Sequence, residues 1–232
     1  EAIRAAVEQH NEVCRLIRAI GDFRKEANPR VTGYEFHILT LVSYVAPKHL
    51  IVDKLRETLE EIKTREPDAA DKYRARVVFV GSEVDDVDVI RLVEESGAYV
   101  CADRFCYGSL PGRDEILLND EEDVVKQVCR QVQGRAQCPR YWDMAKMTGR
   151  RDYVADLAKE YGADGIIYEQ MKFCDPWAYE RMIGTIVLRD EHGYPVLAVD
   201  RPYSIGSSGQ MRTRVQAFVE SIEIKKIQGG KK

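Results

Sequence analysis

The chain has 232 residues, of which 44% are hydrophobic and 32% charged, a composition typical of a globular domain with one substantial core. The net charge of −4 argues against nucleic-acid binding, and no apolar run approaches the roughly 20 residues that cross a bilayer. We therefore expect a cytoplasmic protein with neither nucleic acid nor membrane among its partners. Because Glu1 already lies within a helical pattern, we also expect the sequence to lack an upstream portion.

Residues 1–75 are predicted to form a helical lead-in that packs on the core. Apolar residues recur at helical spacing over residues 3–20, which indicates a first helix with one buried face. A second helix is expected over residues 34–45. A third is expected to open at Pro47, whose fixed φ suits the first turn of a helix.

From residue 76 onward, short apolar strands alternate with helices. Continuous β-branched and aromatic runs are typical of strands that are buried on both faces. These runs occupy residues 77–80, 98–101, 165–168 and 196–199. The alternation predicts an α/β domain over residues 76–232, with a four-stranded parallel sheet of the Rossmann or flavodoxin type and flanking helices. The segment 106–150 contains several Pro and Gly residues and is expected to be irregular.

Charged, aromatic and thiol residues follow every predicted strand. The segments concerned are 81–83, 103–106, 170–175 and 200–203. Ligands bind outside the carboxyl ends of the strands in an open parallel sheet, so we expect a binding site at this edge. Charged residues are also ordinary at any edge that faces solvent, which is the simpler interpretation of the same pattern.

A Gly- and Ser-rich segment, residues 204–209, leads directly into the last predicted helix. The free amides and dipole of a helix N-terminus predict a site there for a carboxylate, a phosphate or an anionic cluster. A simple helix cap by Ser207 or Ser208 explains the residues equally well. Neither a P-loop motif nor a Gly-x-Gly-x-x-Gly after a strand occurs, which excludes a P-loop ATPase and argues against dinucleotide binding.

The six cysteines include no Cys-x-x-Cys pair, so local spacing alone builds neither a zinc ribbon nor a ferredoxin-type cluster. Cys174 lies just before a helix that Pro176 is placed to open, and a helix N-terminus favours the thiolate that ligates iron or attacks electrophiles. A buried, inert thiol is the alternative. Cys106 is a weaker candidate whose role stays open. The scattered histidines form no hydrolase triad.

Three segments together closely resemble one family, that of the 2-hydroxyacyl-CoA dehydratase D-components and the ATP-dependent benzoyl-CoA reductase subunits. They are Lys-Phe-Cys-Asp-Pro-Trp at 172–177, Asp-Arg-Pro-Tyr at 200–203 and Gly-Gln-Met-Arg-Thr-Arg at 209–214. Residues 81–86 and 94–103 are similar to the same family. The residues around Trp177 and at 200–203 resemble the benzoyl-CoA reductase branch more.

The resemblance implies a 4Fe–4S cluster held by three cysteines at the interface of two α/β domains. Cys174 matches the third ligand, and the other two belong to an amino-terminal domain that this chain is expected to lack. The implied partners are an acyl-CoA substrate, a paired homologous subunit and a separate ATP-hydrolysing activator that donates electrons.

The implied activity is low-potential electron transfer from the cluster to an aromatic acyl-CoA thioester, as in benzoyl-CoA reduction. Dehydration of a 2-hydroxyacyl-CoA through a ketyl radical is the alternative. The implied substrate-binding residues are Phe105, Lys172, Phe173, Trp177, Tyr203, Gly206, Ser207 and Gln210. Glu83 and Asp103 are candidates for catalytic proton transfer. A flavodoxin-like module that binds an anion without catalysis, and a purely structural subunit, remain open as other function classes.

Overall fold

The computed structural model describes residues 1–67, 72–109, 114–141, 143–203 and 208–229 of the chain, without the side chain of Ser208. The first part is helical, as predicted, and consists of α1 (Ala2–Asp22), a short 3-10 turn, α2 (Gly33–Val45) and α3 (Lys48–Thr64). Their shared apolar core consists of Val13, Ile17, Ile20, Val31, Phe36, Ile51, Leu55 and Ile62. A capping box fixes the start of α2, because Thr32 and Glu35 each accept the other's backbone N–H.

Four parallel strands form the sheet, in the order β2–β1–β3–β4. The strands are β1 (Ala75–Val80), β2 (Ala98–Arg104), β3 (Gly165–Met171) and β4 (Val196–Arg201). The helices that connect and follow them are α4 (Val87–Glu95), α5 (Val124–Gly134), α6 (Met144–Glu160), α7 (Asp175–Asp190) and α8 (Ser208–Gly229). The α/β class and the parallel four-stranded sheet that the sequence predicts are thereby confirmed.

Residues of β1 alternate between two apolar clusters, one on each face of the sheet. Val77 and Phe79 pack with apolar residues of α4 and α8, whereas Val78 and Val80 pack with those of α6 and α7. A sheet that is covered on both faces requires strands that are apolar throughout, which explains the continuous apolar runs in the sequence. Within the described residues, no helix combines the length and apolarity that crossing a bilayer requires.

The expectation of an irregular segment over residues 106–150 is wrong. This segment contains α5 and the first turns of α6. The side chain of Asp123 caps α5 by accepting the N–H groups of Val125 and Lys126, at 3.1 and 3.0 Å. Asp before a Val-Val-x-x-Val run is a recognisable start signal for a helix. Of the Pro and Gly residues that favour an irregular segment, Gly134 is the last residue of α5 and Pro139 follows the helix.

A buried carboxylate, that of Glu94 at the end of α4, joins α2 to the sheet. It accepts the backbone N–H of Gly33 at 2.8 Å, of Tyr34 at 3.1 Å and of Val100 at 3.3 Å. Burial raises the pKa of Glu94 to about 7, although the three N–H donors act in the opposite direction. Protonation of this carboxyl group is therefore linked to folding near neutral pH.

We expect a Glu94→Gln variant to gain stability relative to wild type as the pH rises from 5 to 8. The folded-state pKa of about 7 lies above the ordinary glutamate value of 4.5, so the contribution of Glu94 is fully present below pH 4.5. It is lost as the pH rises through 7, whereas glutamine does not titrate. The slope is at most about 1.4 kcal/mol per pH unit. Urea unfolding of both proteins at several pH values measures the difference, and a difference independent of pH contradicts the prediction.

Candidate functional site

The topology places a switch point between β1 and β3. The chain runs from β1 to its neighbour β2 on one side, and later to β3 on the other side of β1. In open α/β sheets, ligands bind at such a point, outside the carboxyl ends of the strands. We call residues 81–83 after β1 and 172–174 after β3 the carboxyl edge.

Three strand ends are held together below the carboxyl edge by a buried polar network. Glu169 Oε2 accepts the backbone N–H of Ser82 at 3.0 Å and its hydroxyl at 2.9 Å, and the N–H of Met171 donates to that hydroxyl at 2.7 Å. Glu169 Oε1 lies 2.9 Å from Nε of Arg201, and both side chains are buried. Burial raises the pKa of Glu169 to about 7, against the lowering effect of Arg201 and Ser82.

Arg201 extends this network to the segments that leave the sheet. Its guanidinium donates to the backbone oxygen of Tyr203 at 3.2 Å and to that of Glu83. Sequence reasoning missed Glu169 and the position of Arg201 inside a strand. The available signal was a pair of opposite charges in the last residues of two neighbouring parallel strands, where an isolated buried charge is costly.

Cys174 lies at the carboxyl edge, in the position that the sequence predicts. It is half-buried, and it is the N-cap residue of α7, with Pro176 in the first turn of the helix. Its own N–H donates to Met171 O at 3.1 Å, which closes the turn after β3. Phe173 in this turn has a φ of 70° and is 97% exposed. A left-handed, exposed aromatic residue next to a thiol is the kind of backbone strain that occurs at ligand sites.

A cavity of about 600 Å³ lies beside the first turn of α7, where Trp177 lines it. Trp177 and Phe105 form parts of its wall, and Cys106 and Cys138 also line it. Cys106 is an exposed residue, but partial desolvation of its thiol raises its pKa, an effect that the neighbouring indole of Trp177 counters in part. Charge interaction with Cys138 and Cys174 also raises the pKa of Cys106, whereas the charge of Arg104 lowers it. The spacing of Cys138 in the sequence gave no sign of this position.

The two predicted proton-transfer residues occupy different environments. Asp103 is buried within β2, where its carboxylate accepts from Arg24 Nη1 at 3.0 Å and from the N–H of Ser109 at 2.7 Å. Glu83 is half-buried at the carboxyl edge. The contacts of Asp103 join the end of the first helical segment to the loop after β2, whereas Glu83 is placed nearer to solvent.

The predicted substrate-binding residues do not form one group. Trp177 and Phe105 meet at the 600 Å³ cavity, whereas Lys172 and Tyr203 are exposed, and the hydroxyl of Tyr203 donates to Asp85 at 2.7 Å. Gln210 lines a separate cavity of about 30 Å³ between α4 and α8. Gly206 and Ser207 lie outside the described residues.

Comparison with known proteins identifies similar chains. The family model of the 2-hydroxyglutaryl-CoA dehydratase D-component matches residues 1–222. The chain is 25% identical over 224 residues to the (R)-phenyllactyl-CoA dehydratase beta subunit of Clostridium sporogenes, covering 96% of this chain and 57% of the relative. It is 22% identical over 229 residues to a benzoyl-CoA reductase subunit of Thauera aromatica, covering 97% and 57%. The beta subunit of (R)-2-hydroxyglutaryl-CoA dehydratase of Acidaminococcus fermentans is 27% identical over 178 residues, covering 75% and 46%. The chain thus spans about half the length of these relatives.

Proposed function

This chain belongs to the 2-hydroxyglutaryl-CoA dehydratase D-component family, and we propose that it supplies one iron–sulfur ligand, Cys174, to a subunit that transforms an acyl-CoA thioester. The observation that carries the proposal is the position of Cys174. Its thiol is half-buried at the carboxyl edge, at the N-terminus of α7 and next to a strained turn. The thiolate is the form of cysteine that binds iron.

The chain provides part of a cluster site rather than a whole one. Among the described residues, no group of three or more His, Cys, Asp or Glu side chains is arranged to hold a metal ion. Cys174 fits the role of a single ligand at the edge of a domain, because this residue is only half-buried there. We propose that residues 76–232 carry this ligand, with residues 1–75 packed on them, and that an amino-terminal domain carries the other two cysteines.

A 4Fe–4S cluster bound through Cys174 would supply low-potential electrons for the reduction of an acyl group, whose thioester carbonyl stabilises an added electron. The residues of this chain bind and orient the thioester substrate and shield it from water. Trp177 and Phe105 keep water from one side of the site, and Phe173 and Tyr203 offer aromatic surface at its exposed side. The ammonium group of Lys172 lies two residues from Cys174 and balances negative charge there.

Proton transfer is assigned to Glu83, with Asp103 in a supporting position. Glu83 is half-buried at the carboxyl edge, so that solvent reaches part of its side chain. Asp103 is held by Arg24 and Ser109, which suits a residue that positions the loop carrying Phe105 and Cys106. Gly206, Ser207 and Gln210 are assigned to the anionic end of the thioester substrate, since Gln210 lies in the first turn of α8.

The reaction proposed first is ATP-dependent reduction of benzoyl-CoA, supported by the similarity to the benzoyl-CoA reductase subunit of Thauera aromatica. Dehydration of a 2-hydroxyacyl-CoA is the second candidate. It is supported by the family model and by the similarity to the phenyllactyl- and 2-hydroxyglutaryl-CoA dehydratase subunits. Both reactions need the same partners, namely a paired homologous subunit and an ATP-hydrolysing activator that donates electrons.

The test is iron counting on the complete subunit, purified without oxygen together with its paired subunit. We expect a Cys174→Ser variant to lose the cluster of this subunit and its visible absorbance, because serine does not replace a thiolate ligand to iron. Cys129→Ser is the matched control, since Cys129 is exposed on α5. Full iron content in the Cys174 variant overturns the proposal. Turnover assays with benzoyl-CoA and with a 2-hydroxyacyl-CoA then separate the two reactions.

A further inference from the structure

Arg104, the last residue of β2, is a buried cation without a carboxylate partner in the described part of the chain. It is 2% exposed. Its Nε donates to Gln137 Oε1 at 3.2 Å, its Nη2 donates to Gln137 O, and its guanidinium carbon lies 4.7 Å from the ring centroid of Trp177. All of these partners are neutral. They solvate the guanidinium but do not balance its charge.

The neighbourhood of Arg104 holds more positive than negative charge. Arg150 and Arg151 both pair with the single carboxylate of Glu180, at 2.9 and 3.1 Å, and Arg150 and Glu180 are buried. Arg150 and Glu180 interact with Arg104 in opposite directions. Glu180 thus forms ion pairs with two guanidinium groups and none with that of Arg104. The positive charge around Arg104 can therefore be balanced by at least one further anion.

Burial lowers the pKa of Arg104, the direction expected for a cation removed from water. A lysine in this position would avoid the cost of burying a charge by losing its proton, but an arginine stays charged in proteins. A buried charge without a counter-ion is costly, so a position of this kind is stable chiefly when something else supplies the opposite charge.

A ligand that carries this negative charge can bind in the 600 Å³ cavity. Arg104 forms part of its lining together with Trp177 and Cys106, and Phe105 and Ile116 add apolar wall. A second guanidinium in the lining, that of Arg135, donates to the side chain of Gln131 at 3.2 Å and to the backbone oxygen of Asp114 at 3.1 Å. The carboxylate of Asp114 also borders the cavity, but this residue is exposed. The cavity therefore combines apolar walls with two guanidinium groups, of which that of Arg104 is buried.

We propose that this cavity binds a small molecule with an apolar body and a carboxylate, and that Arg104 is the group that binds the carboxylate. The guanidinium fork matches a carboxylate in geometry, while Trp177 holds the guanidinium plane from one side. Binding of a free acid at this site requires neither the cluster nor Cys174, whereas binding of a substrate's acyl group there rests on the proposed function, which already uses Trp177 and Phe105. The carboxylate belongs either to the acyl group of a thioester substrate or to a free acid.

The test measures binding of sodium benzoate to the full chain, with benzamide as the neutral probe of the same shape. We expect benzoate to raise the melting temperature and to give a saturable calorimetric signal, and benzamide to give neither. Arg104→Met is expected to weaken benzoate binding about tenfold or more, because a hydrogen bond to a charged group is lost. Arg189→Met, which removes an exposed arginine paired with Asp190, is expected to leave binding unchanged.

The Arg104→Met variant is expected to fold, because an apolar side chain of similar length relieves a buried charge. Equal binding of benzoate and benzamide, no binding of benzoate at millimolar concentration, or full binding in Arg104→Met each overturns the proposal. Glutaryl-CoA and butyryl-CoA separate the two sources of the carboxylate. Preference for glutaryl-CoA that Arg104→Met abolishes assigns the carboxylate to the acyl group, and binding of free acids without that preference assigns it to an independent ligand.

Discussion

Replacing Arg201 by methionine is expected to lower the free energy of unfolding by about 3–5 kcal/mol at pH 8. The substitution leaves the Glu169 carboxylate buried with only the two donors of Ser82, and it removes the donors to the backbone oxygens of Glu83 and Tyr203. Urea unfolding, followed by circular dichroism, measures the loss. At pH 5 the loss is expected to shrink, because Glu169, whose pKa burial raises to about 7, takes up a proton there.

A double-mutant cycle separates the ion pair from the packing of Arg201. The Glu169→Gln/Arg201→Met protein is expected to be more stable than the sum of the two single losses predicts, since neither partner then leaves an unpaired buried charge. Arg189→Met serves as the control for removing an ion-paired arginine, and we expect little change because Arg189 and Asp190 are both exposed. Strictly additive losses in the cycle would show that Glu169 and Arg201 act separately.

The ends of the strands were harder to predict than the strands themselves. Apolar runs place β2 and β4 correctly, but they end at Cys101 and Val199, before the charged residues with which these strands finish. Asp103 and Arg201 lie inside strands because each has a buried partner of opposite charge, Arg24 and Glu169. Those partners are distant in the sequence, and a periodicity argument considers one segment at a time.

The candidate site was predictable to the extent that it depends on topology. Parallel strands bring their carboxyl ends to one edge, so the position of Cys174 followed from the strand before it and from Pro176 after it. The cavity could not be foreseen, because it is lined by α1, α5, α6 and α7 and by the loops around Cys106 and Cys138. Lining residues from so many elements have no common spacing in the sequence.

A Gly81→Ala variant is expected to lose about 3 kcal/mol of stability, and with it the geometry of the carboxyl edge. A Cβ atom at Gly81 would overlap Glu169 Oε2 and lie 2.9 Å from both the Cβ and the backbone oxygen of Glu169. Ser82 donates two hydrogen bonds to Oε2 of this carboxylate, and a rotation that cleared the methyl group would break them and disturb the ion pair with Arg201. The backbone after β1 must therefore move away from β3 at the switch point.

Gly149→Ala is the matched control for Gly81→Ala. Gly149 lies within α6, and no atom lies within 4 Å of the position that its Cβ would take, so alanine is expected to raise the stability by up to about 1 kcal/mol. The added methyl group meets Glu169 at position 81 and open space at position 149. Equal effects of the two substitutions would mean that the contact between Gly81 and Glu169 is loose enough to admit a methyl group. The turn that presents Cys174 would then lack the rigid support on which its proposed role as an iron ligand depends, because that turn follows directly from the strand that carries Glu169.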